Sequence, residues 1–194
     1  MKTKQVYAIC TAILAVLFSN ASAAKVGDKG KGWKVVEDAD GFLRCKYNGN
    51  FRLQGAIRQF NTATGTTKCP TPRPFIKYSG GGKKVSLGQG TNDVWRVKTA
   101  RGSGLETTIR ARKNKKYLSP LTDVQTAEWN TDVAMGLRKK KSSYRIRPGG
   151  DLNDIDCLND VDLISAIGTS ISYDCASEEF RYDSDESYWN LIPM

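Results

Sequence analysis

One pattern recurs along the chain at long, near-equal intervals: an aromatic residue, a polar or basic residue, then an aliphatic one. It appears as Trp33-Lys34-Val35, Trp95-Arg96-Val97, Tyr144-Arg145-Ile146 and Trp189-Asn190-Leu191, at spacings of 62, 49 and 45 residues. In an extended strand successive side chains point to opposite faces, so the aromatic and the aliphatic residue share one face. Three units between four such markers can pool their inward faces into one core and close a barrel without open edges. The rest of the chain reads the same way. Short apolar or alternating runs occupy Trp33–Val36, Phe42–Tyr47, Phe51–Leu53, Phe75–Tyr78, Val94–Val97, Thr107–Ala111, Tyr144–Ile146, Ser170–Tyr173 and Tyr188–Ile192. Asp40-Gly41, Asn48-Gly49, Gly80-Gly81-Gly82, Arg101–Gly104 and Pro148-Gly149-Gly150 separate them as turns. Only Val161–Ile167 is expected to form a helical turn. The Gly-rich pieces are of hairpin length, so no linker divides the chain.

A composition of 39% hydrophobic and 26% charged residues belongs to a globular protein. Residues 1–23 stand apart from it. Lys2 and Lys4 lead an apolar run from Val6 to Phe18, and Ala21-Ser22-Ala23 offers a small-residue cleavage site. This is the pattern of a secretory signal peptide, with an apolar run too short to span a bilayer. The expected mature domain is 24–194, a secreted, extracellular monomer with no transmembrane segment. Three near-equal units in a chain of this length look like a β-trefoil. The fold expected is therefore all-β, a single β-trefoil of twelve strands in three pseudo-repeats, with Trp33, Trp95, Tyr144 and Trp189 near the barrel core.

Beyond the signal lie Cys45, Cys69, Cys157 and Cys175. An even number in an exported chain argues for disulfides, and four cysteines allow three connectivities. Pairing sequence neighbours gives two disulfides, Cys45–Cys69 and Cys157–Cys175, each closing a loop worth roughly 3 kcal/mol. No C-x-x-C pair supports a zinc site. The chain contains no histidine. That excludes a Ser-His-Asp or Cys-His site, a histidine metal site and a histidine pH switch. No spaced motif for other catalysis is present, so the protein is expected not to be an enzyme and to need no cofactor and no metal. Asp151-x-x-Asp154-x-Asp156 lacks the order of an EF-hand loop.

The basic residues gather in two stretches. The first holds Arg110, Arg112, Lys113, Lys115 and Lys116; the second holds Arg138, Lys139, Lys140, Lys141, Arg145 and Arg147. From Gly149 onward there are eleven acids against the single base Arg181. Such clusters either solvate a surface or form an anion site for a sulfated glycan, an acidic lipid or an acidic partner. Nucleic acid is not expected, because the chain carries an export signal and no aromatic-interleaved motif accompanies the lysines.

Val36-Glu37-Asp38-Ala39-Asp40-Gly41-Phe42-Leu43 with Phe51-Arg52-Leu53 resembles the opening of the Kunitz inhibitors of the soybean trypsin inhibitor type. Ala63-Thr64-Gly65-Thr66-Thr67-Lys68-Cys69-Pro70 resembles that family's Thr-Gly-x-x-x-Cys-Pro segment, and Val94-Trp95-Arg96-Val97 its Trp-x-Val strand. The resemblance covers roughly residues 33–97. The family's partner for the Cys-Pro cysteine is absent, and Cys45 stands in its place. The stretch from Leu43 to Phe51 is similar to the start of fibroblast growth factors as well. The Kunitz resemblance implies a protease inhibitor acting through an exposed loop, here the segment from Cys69 to Ser79 with three prolines. Arg73, Lys77, Tyr78, Lys83 and Lys84 are the candidates for its contact with an extracellular protease. Pro74 leaves no N–H after Arg73, which favours Lys77-Tyr78 or Lys83-Lys84. The other class is a glycan- or receptor-binding trefoil, a lectin or effector. Trp129 with Glu128 and Asn130 has suitable sugar-binding chemistry, although Gln125 sits four residues before the Trp rather than the two of ricin-type lectins.

Overall fold

A computed structural model of the chain describes residues 25–37, 43–56, 73–78, 85–89, 93–102, 105–121, 135–148, 156–165, 170–174, 179–183 and 188–194. The described residues form fourteen strands and no helix. An N-terminal pair, β1 (Lys29–Gly30) and β2 (Trp33–Glu37), precedes three groups of four. The first group is β3 (Leu43–Ala56), β4 (Phe75–Tyr78), β5 (Val85–Gly88) and β6 (Trp95–Thr99). The second is β7 (Glu106–Ala111), β8 (Tyr117–Pro120), β9 (Met135–Arg138) and β10 (Ser143–Pro148). The third is β11 (Val161–Ser165), β12 (Ser170–Asp174), β13 (Glu179–Asp183) and β14 (Tyr188–Pro193).

The first and last strand of each group build a ring. β3 pairs with β6, β6 with β7, β7 with β10, β10 with β11, β11 with β14, and β14 returns to β3, all antiparallel. Because the ring closes, each of these six strands has neighbours on both sides. The middle strands of each group form the hairpins β4–β5, β8–β9 and β12–β13.

Register fixes what meets inside the ring. Where one group joins the next, Trp95 lies opposite Ala111, Tyr144 opposite Ser165 and Trp189 opposite Gly55. Two residues on, Val97 faces Ile109, Ile146 faces Leu163 and Leu191 faces Leu53. All three aromatic residues and all six aliphatic ones are buried. Part of the polar interior is satisfied within itself. The Tyr47 N–H donates to Thr99 Oγ1 at 2.9 Å, which shares a 2.9 Å hydrogen bond with Thr107 Oγ1.

Four expectations need correction. Trp33 does not belong to the ring: it sits on β2, half-buried against the core, and the three repeats run from β3, β7 and β11. Asn48-Gly49 makes no turn, because β3 runs straight through it for 14 residues. Gly49 is required there for close approach: a Cβ on it would lie 2.7 Å from the Gly32 Cα of the β1–β2 turn. Val161–Ser165 is strand β11, held in the sheet by antiparallel pairing to β10 on one side and β14 on the other. Finally, Cys45 bonds Cys157 across 112 residues, not Cys69, with Cα atoms 5.8 Å apart. That excludes both expected pairings; Cys69 and Cys175 lie outside the described residues. Sequence proximity failed as a guide because β3 passes beside the segment leading into β11. There the Tyr47 hydroxyl also donates to the Cys157 carbonyl at 2.7 Å. Among the described residues no helix is long and apolar enough to cross a membrane.

Candidate polyanion-binding site

The first basic stretch is the β7–β8 turn. The Ala111 N–H donates to the Lys116 carbonyl at 2.8 Å, and the Lys115 N–H donates back to the Ala111 carbonyl at 3.1 Å. Lys115 adopts a left-handed conformation with φ of 63°, and Asn114 Oδ1 accepts from the Lys116 N–H at 3.0 Å. Asn tolerates and supports such turns through its short polar side chain. The backbone is thereby fixed while Arg112, Lys113 and Lys115 stand exposed, with Lys116 half-buried.

The second stretch is the β9–β10 turn, where Lys139, Lys140 and Lys141 are exposed. Ser142 Oγ donates to Ser119 Oγ at 2.7 Å, holding this turn to β8. The strand ladders place both turns at one end of the barrel. Arg96 lies opposite Arg110, Arg110 opposite Tyr117, and Tyr117 opposite Arg138. Adjacent strands are about 4.8 Å apart, so this row crosses four strands in about 15 Å. All four members are half-buried. The Arg138 guanidinium also donates to the Leu121 carbonyl.

Arg145 and Arg147 go elsewhere. Arg145 lies opposite Glu106 and Ile164, and Arg147 opposite Asp162, toward the other end of the barrel. They meet Arg44 there. Its guanidinium is held below its ordinary value, first by burial and then by the charges of Arg147 and Arg145. Arg96 and Arg44 were both missed as site residues. Alternation places Arg96 on the outer face of its strand, but only the pairing of β6 with β7 sets it against Arg110.

The expected protease-contacting residues are distributed differently. Arg73 precedes β4, with its carbonyl accepting from Gln54 Nε2 at 3.2 Å. Lys77 and Tyr78, expected in an exposed loop, lie in the β4 ladder opposite Ser86 and Val85. Tyr78 is buried: its ring meets Trp95 edge-on at 5.0 Å, and its hydroxyl donates to the Val94 carbonyl at 3.2 Å. Lys83, Lys84, Gln125, Glu128, Trp129 and Asn130 lie outside the described residues. Among the described residues no group of three or more His, Cys, Asp or Glu is placed to hold a metal ion.

No protein-family model and no curated protein matches the chain. Among solved structures it is similar to a GlcNAcα1-4Gal-releasing endo-β-galactosidase from Clostridium perfringens. That match has 16% identity and a TM-score of 0.48, over 81% of this chain and 34% of that one. The chain thus spans about a third of the galactosidase's length. It is also similar to ThreeFoil, a designed three-fold symmetric protein, at 19% identity and a TM-score of 0.43, over 76% of this chain and all of that one.

Proposed function

We propose that this chain is an exported β-trefoil that binds polyanions, sulfated glycans foremost, through the paired basic turns at one end of its barrel. The closed six-strand ring with three hairpins supports the trefoil reading. The disulfide, characteristic of oxidising compartments, supports export. The observation that carries the function is the juxtaposition of the two turns. Stretches some 25 residues apart in sequence become neighbours across β8 and β9, joined by the Arg110–Tyr117–Arg138 row. Cations held on fixed turns at one end focus potential in a way that scattered charges do not. Binding, not turnover, is the activity proposed.

Heparin chromatography tests this. Retention should fall with rising salt, as expected for exposed charges. It should fall further in Lys139→Glu/Lys140→Glu/Lys141→Glu and in Lys113→Glu/Lys115→Glu alike. Elution of the unaltered protein together with a control of equal net charge would reduce the turns to a solvated surface.

An inhibitor remains the second reading, and one observation favours it. The approach to the β4–β5 hairpin is anchored twice, through the Arg73 carbonyl and through the Gly55 N–H donating to the Pro74 carbonyl at 3.0 Å. An anchored segment loses little entropy on docking. Stoichiometric inhibition of trypsin, lost in Arg73→Ala or Lys83→Ala/Lys84→Ala, would establish it. No inhibition at micromolar concentration would remove it.

A further inference from the structure

Between the β1–β2 hairpin and β6 lies a cleft of about 780 Å³; none of the basic-turn residues lines it, although Arg96, opposite Arg110, is shared with the row beside those turns. One wall is the β1–β2 hairpin; the other is β6 with the residues that follow it. Six cations line it: Lys29, Lys34, Lys46, Arg96, Lys98 and Arg101. No Asp or Glu is among the described lining residues. The volume falls within the roughly 300–1,000 Å³ of small-ligand sites.

Charge placement there is costly to the fold itself. Lys29 lies directly opposite Lys34, and Lys34 directly opposite Lys46, across three adjacent strands. Like charges opposite one another in a sheet are destabilising. A fold that needed only solubility would gain from an acid at any of these positions. Two of the cations are also held in place by neutral groups. Lys46 Nζ donates to the Gly102 carbonyl at 2.9 Å, and Arg96 Nη2 donates to Asn48 Oδ1 at 2.6 Å. These partners fix position without cancelling charge, so the field stays directed into the cleft.

The walls are built to stay apart at a fixed width. The Asn48 N–H donates to the Gly32 carbonyl at 2.8 Å, and a Cβ on Gly32 would lie 2.8 Å from the Gly49 Cα. The hairpin is therefore seated backbone to backbone on β3. Trp33, half-buried, adds an aromatic wall, with its indole lying over Gly30, where a Cβ would collide with the ring. An aromatic surface among converging cations suits a sugar ring that carries several anionic esters.

We propose that this cleft is a second anion site, separate from the basic turns, which takes a compact saccharide or cyclitol bearing several sulfate or phosphate esters. Its natural source is either a sulfated glycan terminus or a phosphorylated sugar.

Isothermal titration of the purified protein at 0.15 M salt tests it, with sucrose octasulfate, inositol hexakisphosphate and plain sucrose as probes. Saturable one-to-one binding of at least one charged probe is expected, and none of sucrose. The tighter of the two charged probes identifies which ester the cleft prefers. Lys34→Glu/Lys46→Glu should weaken binding at least tenfold, and Arg101→Glu, in an exposed position after β6, at least threefold. An unchanged melting temperature for Arg101→Glu keeps the test valid if the double variant fails to fold. Lys139→Glu/Lys140→Glu/Lys141→Glu should bind within twofold of the unaltered protein. Absence of saturable binding, binding insensitive to Arg101→Glu, or binding lost in the turn variant would overturn the proposal. Heparin retention of the turn variant is read separately, so failure in the cleft and failure at the turns are distinguishable.

Discussion

Trp95, Tyr144 and Trp189 hold equivalent places in the three units and meet the same difficulty, an aromatic side chain with one polar atom inside the core. Each resolves it in the same way. Trp95 Nε1 donates to the Ile76 carbonyl at 3.2 Å, Tyr144 Oη to the Leu118 carbonyl at 2.9 Å, and Trp189 Nε1 to the Ile171 carbonyl at 2.9 Å. In every case the acceptor lies on the second strand of the donor's own unit, so each aromatic residue ties a hairpin to the ring. A buried carbonyl left without its partner costs about 1–3 kcal/mol. Tyr144→Phe, which keeps the ring and removes only the hydroxyl, should therefore lose about that much in urea denaturation. A loss under 0.5 kcal/mol would mean that the hydroxyl contributes nothing. Tyr47 makes a different prediction. Full burial, and then the charge of Asp156, push its hydroxyl well above the ordinary value of 10. In the unfolded chain the same hydroxyl ionises near pH 10, so above that pH the folded state holds one proton more than the unfolded state. Stability is then present in full below pH 10 and falls as pH rises beyond it, by about 1.4 kcal/mol per unit from this group. Urea titrations at pH 9 and pH 11 should show a steeper decline for the unaltered protein than for Tyr47→Phe, and equal slopes would refute the assignment.

Strand against strand, the ring depends on large residues meeting small ones. Ala111 and Gly55 oppose Trp95 and Trp189, leaving room inside the barrel for each ring, and Ser165 holds the same register position opposite Tyr144. Ala111→Leu should overpack this layer at a cost of about 1–3 kcal/mol, read as a lowered urea midpoint. An unchanged midpoint would show that the layer has slack. The aromatic side of this arrangement was legible in the sequence, because aromatic-x-aliphatic is a local pattern of period two. The small side was not, since Ala111, Ser165 and Gly55 gain their meaning only from pairing with distant strands. The same division runs through the basic residues. Arg110 and Arg138 were legible as members of charge runs, whereas Arg96, Lys46 and the lysines at 29 and 34 come from three separate stretches of sequence and are gathered only by register. It runs through the cysteines too, where proximity pointed to Cys69 and the fold brings Cys157 to Cys45. That bond closes a loop of more than 100 residues, for which the chain-entropy model gives about 4.7 kcal/mol. Cys45→Ala/Cys157→Ala should lose about 2–5 kcal/mol. Peptide mapping without reductant should recover a Cys45–Cys157 peptide, and a Cys45–Cys69 peptide would contradict the fold described.

At the scale of the whole molecule the decisive feature is closure, because the strand that completes the ring is the last one. β14 pairs with β3 along six residues, from Tyr188 opposite Ala56 to Pro193 opposite Phe51, and it borders β11 on its other side. It also places Tyr188, Trp189 and Leu191 in the interior. Burial of such side chains is worth about 1.5–3 kcal/mol each, so the three together rival the whole net stability of a typical domain, about 5–15 kcal/mol. The contact is non-local, joining residues more than 130 positions apart, so no local structure substitutes for it while the chain folds. Without β14, β3 and β11 would both expose edges, and the aromatic layer would lose one of its three members. Removal of residues 188–194 should therefore abolish the cooperative thermal transition instead of merely lowering its midpoint, with exposed strand edges driving aggregation. Trp189→Ala in the intact chain separates the two contributions. It empties the core position but leaves the β14 ladder in place, and should cost about 3–5 kcal/mol while unfolding stays cooperative. A truncated chain that still melted in one sharp transition would show that β3 through β13 form a stable fold alone, and that closure of the ring is not what holds this molecule together.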